Sequence, residues 1–102
     1  MIIAELTVVP LGTQTPSVSR YVTKAVSALR KLGLEPQVTA MGTIIEAAEL
    51  PVILEAVRTV HESVFEQGAL RVVTTLKIDE RRDKAGSIEQ KLKAVRSGYN
   101  GS

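Results

Sequence analysis

The sequence predicts an α+β fold of the ferredoxin-like βαββαβ type, with a four-stranded antiparallel sheet and a short C-terminal helix. Three observations carry this reading. The apolar period is two at residues 2–9, three to four at 17–32, extended again around 36–48, helical at 50–67 and two at 69–78. Gly33 and Gly68 stand just past the two helical stretches, where a left-handed C′ residue is expected. No linker, repeat or low-complexity tract divides the 102 residues. They are therefore read as one domain over 1–97, with a flexible tail at 98–102.

Each element has its own signal. Ile2, Ala4, Leu6 and Val8 alternate with Ile3, Glu5, Thr7 and Val9, which is a strand, and Pro10 is expected to stop its ladder. Val18, Val22, Ala25, Val26, Leu29 and Leu32 form a helical stripe that Pro16 or Ser17 starts. Residues 36–40 and 43–48 read as two short strands joined near Met41-Gly42. Ile53, Ala56, Val57, Val60 and Val64 are the buried stripe of a second helix, with Pro51 in its first turn. Leu70, Val72, Thr74, Leu76 and Ile78 share one face of the last strand, and Arg71, Val73, Thr75 and Lys77 the other. Ile88, Leu92 and Val95 mark a short third helix over 87–97.

With both main helices on one side, the other sheet face is bare. Ile3, Val9 and Val73 are placed there, mixed with Glu5, Thr7 and Thr75. A half-apolar open face suits packing by a second sheet, so a homo-oligomer is expected, a dimer or a dimer of dimers.

Composition excludes several classes. The chain is 44% hydrophobic and 24% charged, which argues against disorder. A net charge of +2 is too mild to point to nucleic acid. With no cysteine there is no disulfide, thiolate nucleophile or thiolate metal site, and one histidine, His61, makes no His-rich metal cluster. No metal and no cofactor is expected. No apolar run is long enough to span a membrane, and no basic segment precedes the apolar start as in a secretory signal. A cytoplasmic location is the expectation. Aromatic residues are only Tyr21, Phe65 and Tyr99, so the core must be built from Val, Ile, Leu and Ala.

Three segments carry candidate chemistry. Pro10-Leu11-Gly12-Thr13-Gln14-Thr15-Pro16-Ser17-Val18-Ser19 joins a strand to a helix, and its amides and hydroxyls either hold a polar ligand or simply cap the helix. Met41-Gly42-Thr43-Ile44-Ile45-Glu46 is either a site or a hairpin turn with a solvated carboxylate. Thr43 and Glu46, three apart on a strand, face opposite ways unless the strand bends, and Met41 offers a polarizable surface for a flat ring. Residues 77–84 hold the densest charge. Arg81, Arg82 and Lys84, with Arg71, are the candidate anion binders, while Asp79 and Asp83 offer the arginines partners within a solvated loop. His61 reads as a boundary-layer residue of the second helix, and no HExxH, GxSxG, P-loop or GxGxxG motif is present.

Three landmarks together resemble a known family. They are Pro10-Leu11-Gly12-Thr13 with Ser19 and Tyr21-Val22; Met41-Gly42-Thr43 with Ile45-Glu46; and Arg71 through Asp79 running into Arg81-Arg82-Asp83-Lys84. Over residues 2–96 the chain looks like the small thiamine-binding proteins of archaea, bacteria and fungi. The resemblance implies a ferredoxin-like fold, dimers or tetramers through sheet contacts, and reversible binding of thiamine or its hydroxymethylpyrimidine part. Ala47 stands where that family usually has Gly, which is expected to narrow the room beside Glu46.

For such a ligand the implied contacts are specific. Glu46 accepts from the aminopyrimidine amine and suits the thiazolium cation. Thr43, Ser17 or Ser19, or amides near Gly12, Thr13 and Gly42, serve the ring nitrogens, and Met41 covers the ring. Two other classes stay open. One is an enzyme on a small phosphorylated or heterocyclic substrate at a subunit interface, with His61, Glu46 or Glu49 as base. The other is an effector-binding regulatory module.

Overall fold

The structure is a computed structural model, and it describes residues 1–12, 19–84 and 86–100, without the side chains of Tyr99 and Asn100. Seven elements follow one another: β1 (Ile2–Leu11), α1 (Ser19–Lys31), β2 (Gln37–Val38), β3 (Thr43–Ala47), α2 (Leu50–Glu66), β4 (Arg71–Glu80) and α3 (Ile88–Asn100). The sheet order is β2-β3-β1-β4 and every neighbouring pair is antiparallel. This is the split βαβ arrangement, because β3 lies between β1 and β2.

The register sets which residues are inside. Leu6 is the partner of both Thr43 on β3 and Leu76 on β4, and Ile3 of both Glu46 and Asp79. One face of β1 therefore buries Ile2, Ala4 and Leu6, which pack with Ile45 and Ala47 of β3 under Ile53, Ala56 and Val60 of α2. Ala4, Ala47 and Ala56 are small, so the helix comes close to the sheet. A second cluster of Tyr21, Val64 and Ala69 joins the first through Val8.

Both helix ends behave as the glycines predict. Leu34 N–H donates to the Leu29 carbonyl (3.1 Å) and Gly33 N–H to that of Arg30 (3.0 Å), a Schellman closure with Gly33 at φ +82°. Gly68, at φ +98°, donates to Phe65 after α2.

Four expectations are corrected. Pro10 does not end β1, which continues to Leu11. Pairing with β3 stops at Leu6, so only β4 flanks Pro10, and a missing amide hydrogen is tolerated on such an edge. On α1 the buried row is Tyr21, Ala25 and Leu29, with Leu32 exposed. The helix turns this i, i+4, i+8 row inward because the ring of Tyr21 has more apolar area to bury than a valine. Val18 lies outside the described residues. Leu70 precedes β4 and is 94% exposed, because the chain turns in at Ala69 instead. Finally, α3 runs to Asn100, three residues past its predicted end.

The depth of the core makes a direct test. Ile45→Ala should cost about 2–5 kcal/mol in urea unfolding, as fully buried sites do. Leu54→Ala, at a site 50% exposed, should cost under about half the Ile45→Ala value.

Candidate functional site: the open sheet face

Side-chain alternation divides the predicted site residues between the two sides of the sheet. Thr43, opposite Leu6, points to the helix side. There it lines a cavity of about 40 Å³ with Leu6, Tyr21, Ala25 and Val64. That is room for a water or two and not for a pair of rings. Glu46, opposite Ile3, stands on the open face. The register of β3 with β1 is unbroken from Thr43 to Ala47, so alternation holds and the two residues lie on opposite sides of the sheet.

The open face has a clear composition. Across its centre run Ile3, Glu5 and Thr7 of β1, Ile44 and Glu46 of β3, and Thr75, Lys77 and Asp79 of β4. Glu5 lies between Ile44 and Lys77. Glu46 is its diagonal neighbour, about 7–8 Å away by sheet geometry. Glu5 is half-buried, and its side chain takes part in no hydrogen bond or ion pair among the described residues. Glu5 and Thr7 were legible as open-face residues, but only the register shows that they flank the turn that carries Met41.

That turn is closed on itself. Thr39 N–H and Oγ1–H both donate to the Gly42 carbonyl (2.9 and 2.8 Å). The Thr39 hydroxyl accepts from the amides of Met41 (3.2 Å) and Gly42 (3.1 Å). These amides are thus occupied, which corrects the expectation that amides near Gly42 serve a ligand. Gly42 is needed for space. A Cβ there would stand 3.1 Å from Thr7 Oγ1 and 3.3 Å from the Leu6 carbonyl oxygen. With no side chain, the turn lies directly on β1 and leaves Met41 83% exposed beside the open face.

Glu46 is not a free carboxylate. Its Oε2 accepts from the backbone N–H of Ile88 at 3.1 Å, the first residue of α3. Ser87 Oγ accepts from Gln90 N–H in the same turn (3.1 Å). Two of the helix's four orphan amides are thereby met, and the carboxylate also suits the positive end of the helix dipole. Lys91 of α3 pairs with Asp79, and Ile88 is buried. The third helix is thus pinned at its N-terminal end to the open face. Ala47, by contrast, buries its methyl in the core on the other side, so it does not crowd Glu46.

The remaining candidates are dispersed. Gly12, at φ +75°, ends β1, and Ser19 begins α1, with Thr13 and Ser17 between them outside the described residues. Gly12 is nine residues along from Ile3, about 30 Å by strand rise, so it does not meet Glu46. Arg71 is opposite Leu11, at the other end of β4 from the charged loop, so the four basic candidates do not form one site. Within the loop, Arg81 donates to both carboxylate oxygens of Asp83 (2.7 and 2.6 Å), and Arg82 donates to Glu80 (2.8 Å). The hydrogen bonds from Arg81 hold the Asp83 carboxyl below its ordinary range. His61 sits on the helix side, its Nδ1 2.6 Å from Thr74 Oγ1 and its ring edge-on to Phe65. It faces away from Glu46 across the sheet and has a packing role.

The fold and this face define a class: a ferredoxin-like α+β domain whose sheet leaves a carboxylate-bearing surface open to a small molecule. Comparison with known proteins narrows it. The thiamine-binding protein family model matches residues 4–96, and the chain belongs to that family. It is 49% identical to a UPF0045 protein of Methanothermobacter thermautotrophicus, over 94% of this chain and 97% of the relative. A crystal structure of a Methanocaldococcus jannaschii protein superposes with a TM-score of 0.83 at 45% identity, over 92% of this chain and 94% of that one. A candidate thiamine biosynthesis or salvage protein of Thermotoga maritima shares the fold, with a TM-score of 0.75 at 23% identity, over 92% of this chain and 97% of that one.

Two outcomes follow from the geometry. Gly42→Ala should displace the turn and lower stability by about 1–3 kcal/mol, read from urea unfolding. Asp83 should titrate below the usual carboxylate range by NMR, and Arg81→Ala should return it there. Because the folded value is the lower one, the pair's contribution is present above the ordinary carboxylate pKa. It is lost as pH falls through the lowered value.

Proposed function

We propose that this chain binds thiamine or its hydroxymethylpyrimidine part reversibly, on the open sheet face beside the Met41–Gly42 turn, and does not convert it. The observation that carries the reading is Glu5, an unpaired half-buried carboxylate in the middle of that face. Membership of the thiamine-binding family supports the ligand class.

The chemistry is complementary. An aminopyrimidine presents an exocyclic amine, which Glu5 or the second oxygen of Glu46 accepts. Thiamine's thiazolium is a cation, which two carboxylates on one face attract. Ile3 and Ile44 give an apolar floor, and Met41 gives a polarizable cover for a flat ring. Val9 and Val73, cross-strand partners on the same face, are 39% and 45% exposed. A second copy of the chain packed sheet to sheet buries them and closes the groove, so a cytoplasmic homo-oligomer, dimer or tetramer, belongs to the same proposal.

Isothermal titration with thiamine and with hydroxymethylpyrimidine tests it, with oligomeric mass measured on the same sample. Saturable heat is expected, and chromatography of the incubated ligand should recover it unchanged. Glu5→Gln should weaken binding by roughly tenfold or more, the worth of one charge-assisted hydrogen bond. Glu46→Gln should act in the same direction. Unaltered affinity in both variants removes the ligand from the open face.

A further inference from the structure

The loop after β4 and the first turns of α3 enclose an open cleft of about 360 Å³, lined by Arg81, Lys84, Gly86, Gln90, Lys91 and Ala94. Among the described residues, three cationic side chains line it and no carboxylate does. The acidic neighbours act as tethers. Asp83 grips Arg81 through Nε and Nη2, which leaves the Nη1 hydrogens available. Asp79 holds Lys91. Lys84 has no carboxylate partner among the described residues, and Gln90 adds a neutral side-chain donor.

We propose that this cleft is a binding site for phosphate, either the inorganic ion or the phosphomonoester of a phosphorylated small molecule. A guanidinium fixed by a carboxylate is pre-organised, so less rotamer freedom is lost when it takes a phosphate oxygen. Lys84 and Lys91 add point charges for a dianion. The volume is many times the roughly 30 Å³ share of one water, so a hydrated phosphate fits. This site differs from the sequence expectation. Arg71 is at the far end of β4 and Arg82 is paired with Glu80 outside the lining, whereas Lys91, from α3, is part of it. The cleft does not depend on the thiamine reading. It does begin two residues from Ile88, whose amide Glu46 holds, so the phosphate of a ligand lying near Glu46 has a receptor close by.

The test is an amide-resolved NMR titration of the full chain with inorganic phosphate at low ionic strength. Saturable shifts at Gly86, Gln90 and Lys91 are expected. Lys84→Glu changes the local charge by two units and should lower the affinity about tenfold or more, since for a dianion the Coulomb effect in water is already tenfold at about 12 Å. Lys24→Glu, on exposed α1, should leave the affinity unchanged. Absent shifts, equal affinity in Lys84→Glu, or an equal fall in Lys24→Glu overturns the site. A second arm distinguishes the sources. Thiamine monophosphate binding more tightly than thiamine, with the advantage lost in Lys84→Glu, assigns the cleft to the ligand's own phosphate. Phosphate binding without that advantage assigns it to the free ion. Because inorganic phosphate is titrated alone, failure of thiamine to bind leaves this result intact.

Discussion

Everything in this domain depends on the pairing of β1 with a strand on each side. Residues 2–6 are flanked by β3 and β4 together, so their alternation is read twice. A slip of one residue would carry Glu5 and Thr7 into the core and bring Ala4 and Leu6 out. The core tolerates no such exchange, because Ile45, Ile53 and Ala56 pack against Ala4 and Leu6 with no polar partner among them. The same constraint creates the open face. Burying the even-numbered side chains of β1 puts Ile3, Glu5, Thr7 and Val9 on the opposite side, with both main helices committed elsewhere.

The open face is organised by economical means. Gly42 lets the Thr39–Gly42 turn rest on β1, and Thr39 closes that turn with one hydroxyl. At the other end Glu46 and Asp79 hold the first turns of α3. Among the described side chains of that helix only Ile88 is buried, while Leu92 and Val95 stay exposed. The third helix is thus attached by its N-terminal end, through electrostatic and hydrogen-bonded contacts more than by apolar burial. Such attachment brings a basic helix beside the carboxylate face and sets opposite charges next to one another on this surface.

The charged loop illustrates how mixed sequences resolve. Arg81, Arg82, Asp83 and Lys84 are adjacent, and composition alone allows either an anion site or a self-neutralised loop. The ion pairs of the second description are present. Asp83 and Glu80 take an arginine each at exposed positions, where such pairs stabilise little. What they accomplish is orientation, leaving Arg81 beside Lys84 and Lys91.

Local pattern was sufficient for much of this molecule. The order of elements, the inward faces of β1 and α2, the stops at Gly33 and Gly68 and the opposed directions of Thr43 and Glu46 follow from periods of two and 3.6 and from backbone torsion, which neighbouring residues determine. Tertiary structure decided the rest. Glu46 meets an amide 42 residues away. Arg71 is separated from Arg81 by the length of a strand, and Pro10 is accommodated because β3 is short. No local pattern encodes these facts. They depend on which strands become neighbours and in what register, and that choice belongs to the packing of the whole chain.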